Sequence, residues 1–234
     1  MSLMERVRRE AAAAPESGIV ALMNHGRRKG GVIPLWAGEG DLPTPDFIRE
    51  AAKKGLDDGE TFYTWQAGIP DLREALARYH QRHFPGPFAP DRFYVTGSGM
   101  QSIQLALQAT AGAGEEVVYL SPAWPNFAAC LAIAGGRPVP AALDFGQGGW
   151  SLDVGRIERA VTPKTRALFI NTPSNPTGWT ADHSTLQAIL DLARARGLWI
   201  IADEIYTHFH YPDPASGRPR GRAPSFMDVM DPAA

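Results

Sequence analysis

The stretch LWIIADEIY (198–206) places an acid at the end of a run of large apolar residues. The run predicts a buried β-strand over 198–203 that ends on Asp203. A carboxylate at such a position costs roughly several kcal/mol unless a cation or hydrogen-bond donors meet it. Because no Lys or Arg lies close by in the sequence, the partner of Asp203 is either an external cation or a distant arginine of the same chain.

Upstream of this stretch, β-rich runs alternate with helical runs. The predicted strands cover 92–97, 116–121, 137–143, 165–171 and 198–203, and the helices between them cover 100–110, 125–136 and 181–196. Such alternation predicts an α/β fold with three layers, αβα, around a mainly parallel sheet. Ligands of these sheets bind outside the carboxyl ends of the strands, so we expect the functional residues directly after each strand.

The amino-terminal part of the chain has a different character. Helices are predicted at 4–14, at 45–55 with Thr44 as the cap, and at 70–83, where apolar residues recur at spacings of three and four. The Gly- and Pro-rich segment 24–45 predicts an extended surface arm. The tail 212–234 has five prolines and is predicted to be a loop.

Composition excludes several classes of protein. The 234 residues carry a formal net charge of −2, which argues against nucleic acid as the main partner. No apolar run approaches the roughly 18 residues of a membrane span. The single cysteine, Cys130, makes no internal disulfide, so the cytoplasm is the simplest compartment. His208 and His210 alternate on an extended segment but have no third ligand in sight, so no metal site is predicted.

Three further strand ends carry candidate binding groups. The turn TGSGMQS (96–102) opens a helix whose free amides suit a phosphate, but Ser102 stands where a dinucleotide fingerprint has its third glycine. Trp124, in SPAWPNF, is either a stacking surface for a planar ring or a core anchor. Asn175, in TPSNPTG, lies at a rigid turn, where Asn-Pro is also common simply as turn chemistry.

Together these strand ends resemble the class I/II aminotransferases of fold type I, which use pyridoxal 5′-phosphate. The segments that carry the resemblance stand in the family's order along nearly the whole chain. They are WAGEGDLPTP (36–45), YTWQAGIPDLREALARY (63–79), TGSGMQSIQLAL (96–107), NTPSNPTG (171–178) and ADEIY (202–206).

The resemblance implies a role for each strand-end residue. Asp203 would pair with the protonated pyridine nitrogen and so keep the ring an electron sink. Asn175 and Tyr206 would hydrogen-bond the phenolic oxygen of the ring, and Trp124 would stack on its face. The backbone of residues 98–100 (Ser98, Gly99 and Met100) would hold the phosphate.

Two residues of the amino-terminal part also match the family. Tyr63 corresponds to a tyrosine that reaches the phosphate bound by the neighbouring subunit, which implies a homodimer. Gly38 corresponds to a backbone site near the carboxylate of the substrate. The resemblance divides the chain into an amino-terminal helix and arm, 1–43, belonging to the small domain and dimer contacts, and the first portion of the large cofactor-binding domain, 44–234.

The lysine that the family needs for its Schiff base has no counterpart among Lys29, Lys53, Lys54 and Lys164. The resemblance places that lysine beyond Ala234, together with the arginines that bind the phosphate and the substrate. Our hypothesis is that the 234 residues are the amino-terminal portion of a longer polypeptide. Further strands of the large-domain sheet and most of the small domain would then follow.

The function implied is that of an aminotransferase of amino-acid metabolism and biosynthesis, which moves an amino group from an amino acid to a 2-oxo acid by a ping-pong mechanism. A pyridoxal phosphate-dependent C–S lyase or related eliminating enzyme begins with the same steps and stays open. A non-catalytic relative that binds pyridoxal phosphate is a second alternative. Trp36 and Trp65 are expected to border the pocket and to favour an apolar or aromatic substrate.

Overall fold

Eight α-helices and six strands follow one another in the part of the chain that the computed structural model describes, residues 3–14, 17–36, 38–211 and 221–231. The helices are α1 (Arg9–Ala12), α2 (Gly18–Lys29), α3 (Asp46–Asp57), α4 (Pro70–His83), α5 (Gly99–Thr110), α6 (Pro125–Ile133), α7 (Val154–Ala160) and α8 (His183–Arg196). The strands are β1 (Glu116–Ser121), β2 (Arg137–Ala142), β3 (Asp144–Gly146), β4 (Gly149–Ser151), β5 (Thr165–Asn171) and β6 (Trp199–Asp203).

Four of the five predicted strands form one parallel sheet in the order β2-β1-β5-β6. Helices connect its successive strands, as a parallel sheet requires, because each connection must return to the same edge. The pairing of Asn171 with Asp203 closes the β5–β6 ladder. The carboxyl ends of all four strands therefore meet at one edge.

Both faces of this sheet are covered by helices. Residues that follow each other along β1 and β5 point to opposite faces, so Val117 and Phe169 pack against α5 and α6 while Val118 and Leu168 pack against α7 and α8. The rings of Phe127 and Phe169 stack with centroids 4.1 Å apart. The predicted three-layer αβα arrangement with a mainly parallel sheet is thus confirmed.

The strand predicted at 92–97 is absent from the described structure. A short 3₁₀ turn, Pro90–Arg92, leads into extended backbone whose Val95 N–H donates to the carbonyl of Ala67 at 2.9 Å. The Phe93 carbonyl accepts from Arg73 Nε at 3.0 Å. These isolated contacts do not make a ladder. Sequence propensity alone cannot supply the neighbouring strand that a β-strand needs.

The amino-terminal helices also differ from the prediction. Helix α2 begins at Gly18 and extends into the segment predicted as an arm, so the arm starts at Gly30, where a φ of 66° ends the helix. The helix predicted at 4–14 is reduced to a 3₁₀ turn, Leu3–Arg6, and to α1. Thr44 is not the cap of α3, because Pro45 occupies that position without a side-chain hydrogen bond.

Two regions are more structured than expected. Neither the hairpin β3–β4 nor α7, whose first turn is capped by Asp153, was predicted. The tail was predicted to be a loop throughout, yet residues 221–231 include a 3₁₀ turn, Phe226–Asp228, with a buried ring of Phe226. The remaining tail residues, 212–220 and 232–234, lie outside the described structure.

The arm is held against α2 by a single aromatic contact. A Cβ atom built on Gly26 would lie 2.4 and 2.6 Å from two atoms of the Trp36 ring. Only a residue without a side chain lets the indole approach so closely. The contact fixes the arm just before Gly38.

We expect Gly26→Ala to displace Trp36 and loosen the arm. On an open helix face this change would add about 1 kcal/mol of helix stability, but here the new methyl group clashes with the indole. The Trp36 ring should therefore become more accessible to acrylamide in fluorescence quenching. Gly18→Ala is the matched control, since nothing lies within 4 Å of its added Cβ. Equal quenching in both variants would contradict this account.

Candidate active site

A cavity of about 410 Å³ opens where the carboxyl ends of β5 and β6 face the first turn of α5. Its size is typical of small-molecule sites. Six of the nine residues predicted for a binding site line it: Gly99, Met100, Trp124, Asn175, Asp203 and Tyr206. Elements far apart in the sequence thus converge on one cavity, as expected for the carboxyl edge of a parallel sheet.

Asp203 ends β6 with a half-buried carboxylate at the cavity wall. Its Oδ1 accepts a long hydrogen bond from Ile205 N–H at 3.3 Å. Burial raises the pKa of Asp203, and this hydrogen bond offsets only part of the effect. No arginine, lysine or histidine of the described residues forms an ion pair with it. Of the two partners considered above, the described structure therefore leaves the external cation.

The raised pKa of Asp203 predicts that the ionised carboxylate lowers the free energy of unfolding of the cofactor-free chain. Above the ordinary value of 3.8, the native state holds more protons than the unfolded state, so stability falls as the pH rises through the native pKa. Asp203→Asn should therefore raise the urea midpoint near neutral pH, and the gain should shrink as the pH falls toward 3.8.

The control for this measurement has the opposite sign. The pKa of Asp153 is lowered by hydrogen bonds from Arg159 and Gly155, so its ionised form is favoured in the native state. Asp153→Asn should lower the urea midpoint near neutral pH. If Asp203→Asn also lowers the urea midpoint, the ionised carboxylate of Asp203 is already stabilised by other residues in the cofactor-free chain.

Asn171 joins two of the predicted site residues, although the sequence did not single it out. Its Nδ2 donates to the carbonyl of Asp203 at 2.9 Å, and its Oδ1 accepts from Asn175 N–H at 2.7 Å. The buried Thr172 accepts from Ala181 N–H at 2.9 Å. The turn that carries Asn175 is therefore fixed to the end of β6. Asn171 could have been identified from the sequence because it is the last residue of a predicted buried strand.

Tyr206 lies in the turn after β6, where its carbonyl accepts from Phe209 N–H at 2.8 Å. The arm reaches the site beside it, since a Cβ built on Gly38 would lie 3.4 Å from Tyr206 Oη. The structure thus brings Gly38 next to the cavity. Trp124, at the amino end of α6, forms a further wall.

The first turn of α5 supplies amides at the other end of the cavity. Ser98 caps the helix by accepting from Gln101 N–H at 3.2 Å, and Gly97 N–H donates to Gln101 Oε1 at 2.9 Å. The amides of Gly99 and Met100 belong to the first turn, where helices have no carbonyl partner of their own. Together with the helix dipole they can bind an anion.

Three aromatic residues do not line the cavity. Tyr63 is fully exposed, and Trp65 is 65% exposed. Trp36 packs on Gly26 instead. The expectation that Trp36 and Trp65 border the pocket is therefore not met in the described structure.

Glu204, which was assigned no role from the sequence, is a structural residue. Its carboxylate accepts from Ser225 Oγ at 2.5 Å and from Phe226 N–H at 2.9 Å. Asp228 accepts from Ser225 N–H at 3.0 Å and forms an ion pair with Arg222. Burial raises the pKa of Glu204. This network binds segment 221–231 to the end of β6, directly behind Asp203.

The described residues form neither a metal site nor a membrane span. Among the described residues, no three His, Cys, Asp or Glu side chains lie together in a way that could hold a metal ion. His208 instead forms a hydrogen bond with Tyr79 Oη. None of the helices in the described ranges is long and apolar enough to span a membrane.

Solved structures that share this architecture include aminotransferases. The chain superposes on an aspartate aminotransferase from Thermus thermophilus with maleate with a TM-score of 0.83 and 36% identity, covering 88% of this chain and 55% of that one. For an alanine aminotransferase from Pyrococcus furiosus the TM-score is 0.81 and the identity 29%, covering 89% and 54%. The fold is that of the fold type I pyridoxal phosphate enzymes.

Two proteins that are similar in sequence are also named aminotransferases. A probable aspartate/prephenate aminotransferase of Thermus aquaticus is 38% identical over 186 residues, 79% of this chain and 48% of that protein. The aromatic-amino-acid aminotransferase 2 of Thermococcus litoralis is 39% identical over 182 residues, 77% and 46%. A family model described as aminotransferase class I and II matches residues 31–230. The chain belongs to this family of pyridoxal phosphate-dependent enzymes, and it spans about half the length of these curated relatives.

Proposed function

We propose that the chain supplies the cofactor-binding portion of an aminotransferase that moves an amino group from an amino acid to a 2-oxo acid. One observation carries the proposal. The carboxylate of Asp203, which has no ion-pair partner among the described residues, shares a cavity with the open amino end of α5. A pyridoxal phosphate molecule has a basic ring nitrogen and, on another position of the same planar ring, a phosphate arm, and so matches both features.

The residues present fit this cofactor. Asp203 would hold a proton on the ring nitrogen, because a carboxylate favours the charged form of a neighbouring base. Asn175 and Tyr206 would bind the phenolic oxygen, and Trp124 would cover one face of the ring. The amides of residues 98–100 would bind the phosphate. The bound cofactor would supply an electron sink for the substrate carbanion.

The proton-transferring lysine is not part of the described site. None of Lys29, Lys53, Lys54 and Lys164 lines the cavity. We therefore propose that this lysine lies outside the 234 residues. The chain's own residues would then bind and orient the cofactor, and further residues would complete the ping-pong cycle.

A second copy of the chain is the proposed partner. Phe62 and Tyr63 are 89% and 109% exposed, which is unusual for large aromatic side chains unless another surface covers them. In a homodimer, Tyr63 would reach the phosphate bound by the partner subunit. The proposed compartment is the cytoplasm, consistent with Cys130 as a half-buried free thiol whose pKa is raised by burial.

The substrates are proposed only as a class, within amino-acid metabolism and biosynthesis. The relatives carry names that refer to aspartate, prephenate, aromatic amino acids and alanine. Gly38 beside Tyr206 would let backbone atoms of the arm approach the substrate carboxylate. The apolar Met100 and Ile205 in the cavity lining leave room for an uncharged substituent.

Calorimetric titration of the chain with pyridoxamine 5′-phosphate tests the proposal. This form of the cofactor has no aldehyde, so it cannot react with surface lysines. We expect saturable binding to one site, and pyridoxal 5′-phosphate should compete. Heat changes that do not saturate, in a chain shown to be folded by circular dichroism, would overturn the proposal.

A further inference from the structure

Ser102, the last residue of the turn motif TGSGMQS, lines the cavity although it was not among the predicted ligands of the phosphate. It lies in α5 shortly after Gly99 and Met100, which line the same cavity. Side chains of a helix lean toward its amino end. The hydroxyl of Ser102 therefore lies over the first turn of the helix.

The proton on this hydroxyl can be placed by counting donors. Thr96 Oγ1 donates to the carbonyl of Ser98 at 2.8 Å, and a carbonyl can only accept. Thr96 has then used its single proton. The 2.6 Å contact between Ser102 Oγ and Thr96 Oγ1 must accordingly be donated by Ser102. In the structure described, Ser102 thus presents lone pairs to the cavity.

The other side-chain donors of this turn lie outside the cavity lining. Gln101 Oε1 accepts from Gly97 N–H and Ser98 Oγ accepts from Gln101 N–H, so both side chains keep donor protons, but neither residue lines the cavity. Met100 has no donor on its side chain. No lysine, arginine or histidine lines the cavity within the described residues. From the residues of this turn that line the cavity, a phosphate with three acceptor oxygens would find two amides, at Gly99 and Met100, and one side-chain hydroxyl, that of Ser102.

We propose that the Ser102 hydroxyl is an additional ligand of the cofactor phosphate and that it turns from Thr96 to the phosphate on binding. The inference rests on the proposed function and adds a residue to its binding site. A hydrogen bond to an anion is about twice as strong as one between neutral groups, so the exchange favours binding. Thr96 acts as the resting partner that holds the hydroxyl when the site is empty.

Calorimetry with pyridoxamine 5′-phosphate and with pyridoxamine tests this role. Ser102→Ala should weaken binding of the phosphorylated ligand about tenfold, or 1.4 kcal/mol, and leave pyridoxamine binding unchanged. Because Ala is a better helix former than Ser, the helix should remain intact. Ser184→Ala, in the first turn of α8, is the matched control and should change neither affinity.

The variant Thr96→Val tests whether Ser102 binds the phosphate directly or only stabilises the turn through its hydrogen bond with Thr96. Without its competing acceptor, Ser102 is free to face the phosphate, so affinity should stay equal or increase. Weakening as large as that of Ser102→Ala, or no effect of Ser102→Ala on either ligand, would overturn the inference while leaving the proposed function standing. Failure of the unmodified folded chain to bind pyridoxamine 5′-phosphate would overturn both.

Discussion

Asp203→Ala is expected to weaken binding of pyridoxamine 5′-phosphate to the chain by roughly a hundredfold. The carboxylate is half-buried, and no described residue pairs with it, so its interaction with a protonated ring nitrogen is screened less than a surface ion pair. Removing one member of a buried ion pair costs about 3 kcal/mol or more. Calorimetric titration near neutral pH measures the loss.

The control for this experiment is Asp144→Ala. Asp144 lies on the hairpin β3–β4, away from the cavity, and is paired with Arg156 at 2.6 Å. Its removal should leave cofactor affinity unchanged. If Asp203→Ala binds as tightly as Asp144→Ala, Asp203 is not the partner of the ring nitrogen.

Glu204→Ala is expected to lower the free energy of unfolding by about 3 kcal/mol. The change leaves the buried Ser225 hydroxyl and the Phe226 N–H without their acceptor, and each unsatisfied buried donor costs about 1–3 kcal/mol. Relief of the buried charge offsets part of this loss. Urea unfolding near neutral pH gives the difference.

Two variants define what this result means. Glu204→Gln keeps an oxygen acceptor for Phe226 N–H and should lose much less stability. Glu158→Ala breaks an exposed ion pair with Arg196 and should cost no more than about 1 kcal/mol. If Glu204→Ala costs as little as Glu158→Ala, the network behind Asp203 contributes no more than a surface contact.

The two adjacent acids of ADEIY, Asp203 and Glu204, have different roles. Both residues line the cavity, but the carboxylate of Glu204 is bound to segment 221–231, whereas that of Asp203 has no ion-pair partner among the described residues. Burial raises the pKa of both carboxyls. Glu204 receives its compensating hydrogen bonds within the chain. Asp203 receives only one long hydrogen bond, and that difference makes it the residue available to a ligand.

The sheet and the cavity were predictable because they depend on local patterns. Apolar runs predicted β1, β2, β5 and β6, and the connection rules for parallel strands brought their ends to one edge. Six site residues lay directly after those strands or at a helix start. Their meeting at one cavity follows from topology alone.

The errors arose where structure depends on distant partners. Residues 92–97 have strand propensity but no neighbouring strand among the described residues. The glycines and prolines of segment 24–45 suggested an arm that begins at residue 24, although α2 runs from Gly18 to Lys29 and Gly26 allows the close approach of Trp36. The hydrogen bonds of Glu204 join residues 21 and 22 positions apart, which no local pattern indicates.

The crystal structure of the chain with pyridoxamine 5′-phosphate tests the central claim most directly. We predict the ring nitrogen about 2.8 Å from a carboxylate oxygen of Asp203, as in other charge-assisted hydrogen bonds. The phosphate should lie against the amides of Gly99 and Met100. A ring nitrogen that faces away from Asp203, or a phosphate bound elsewhere, would contradict the account.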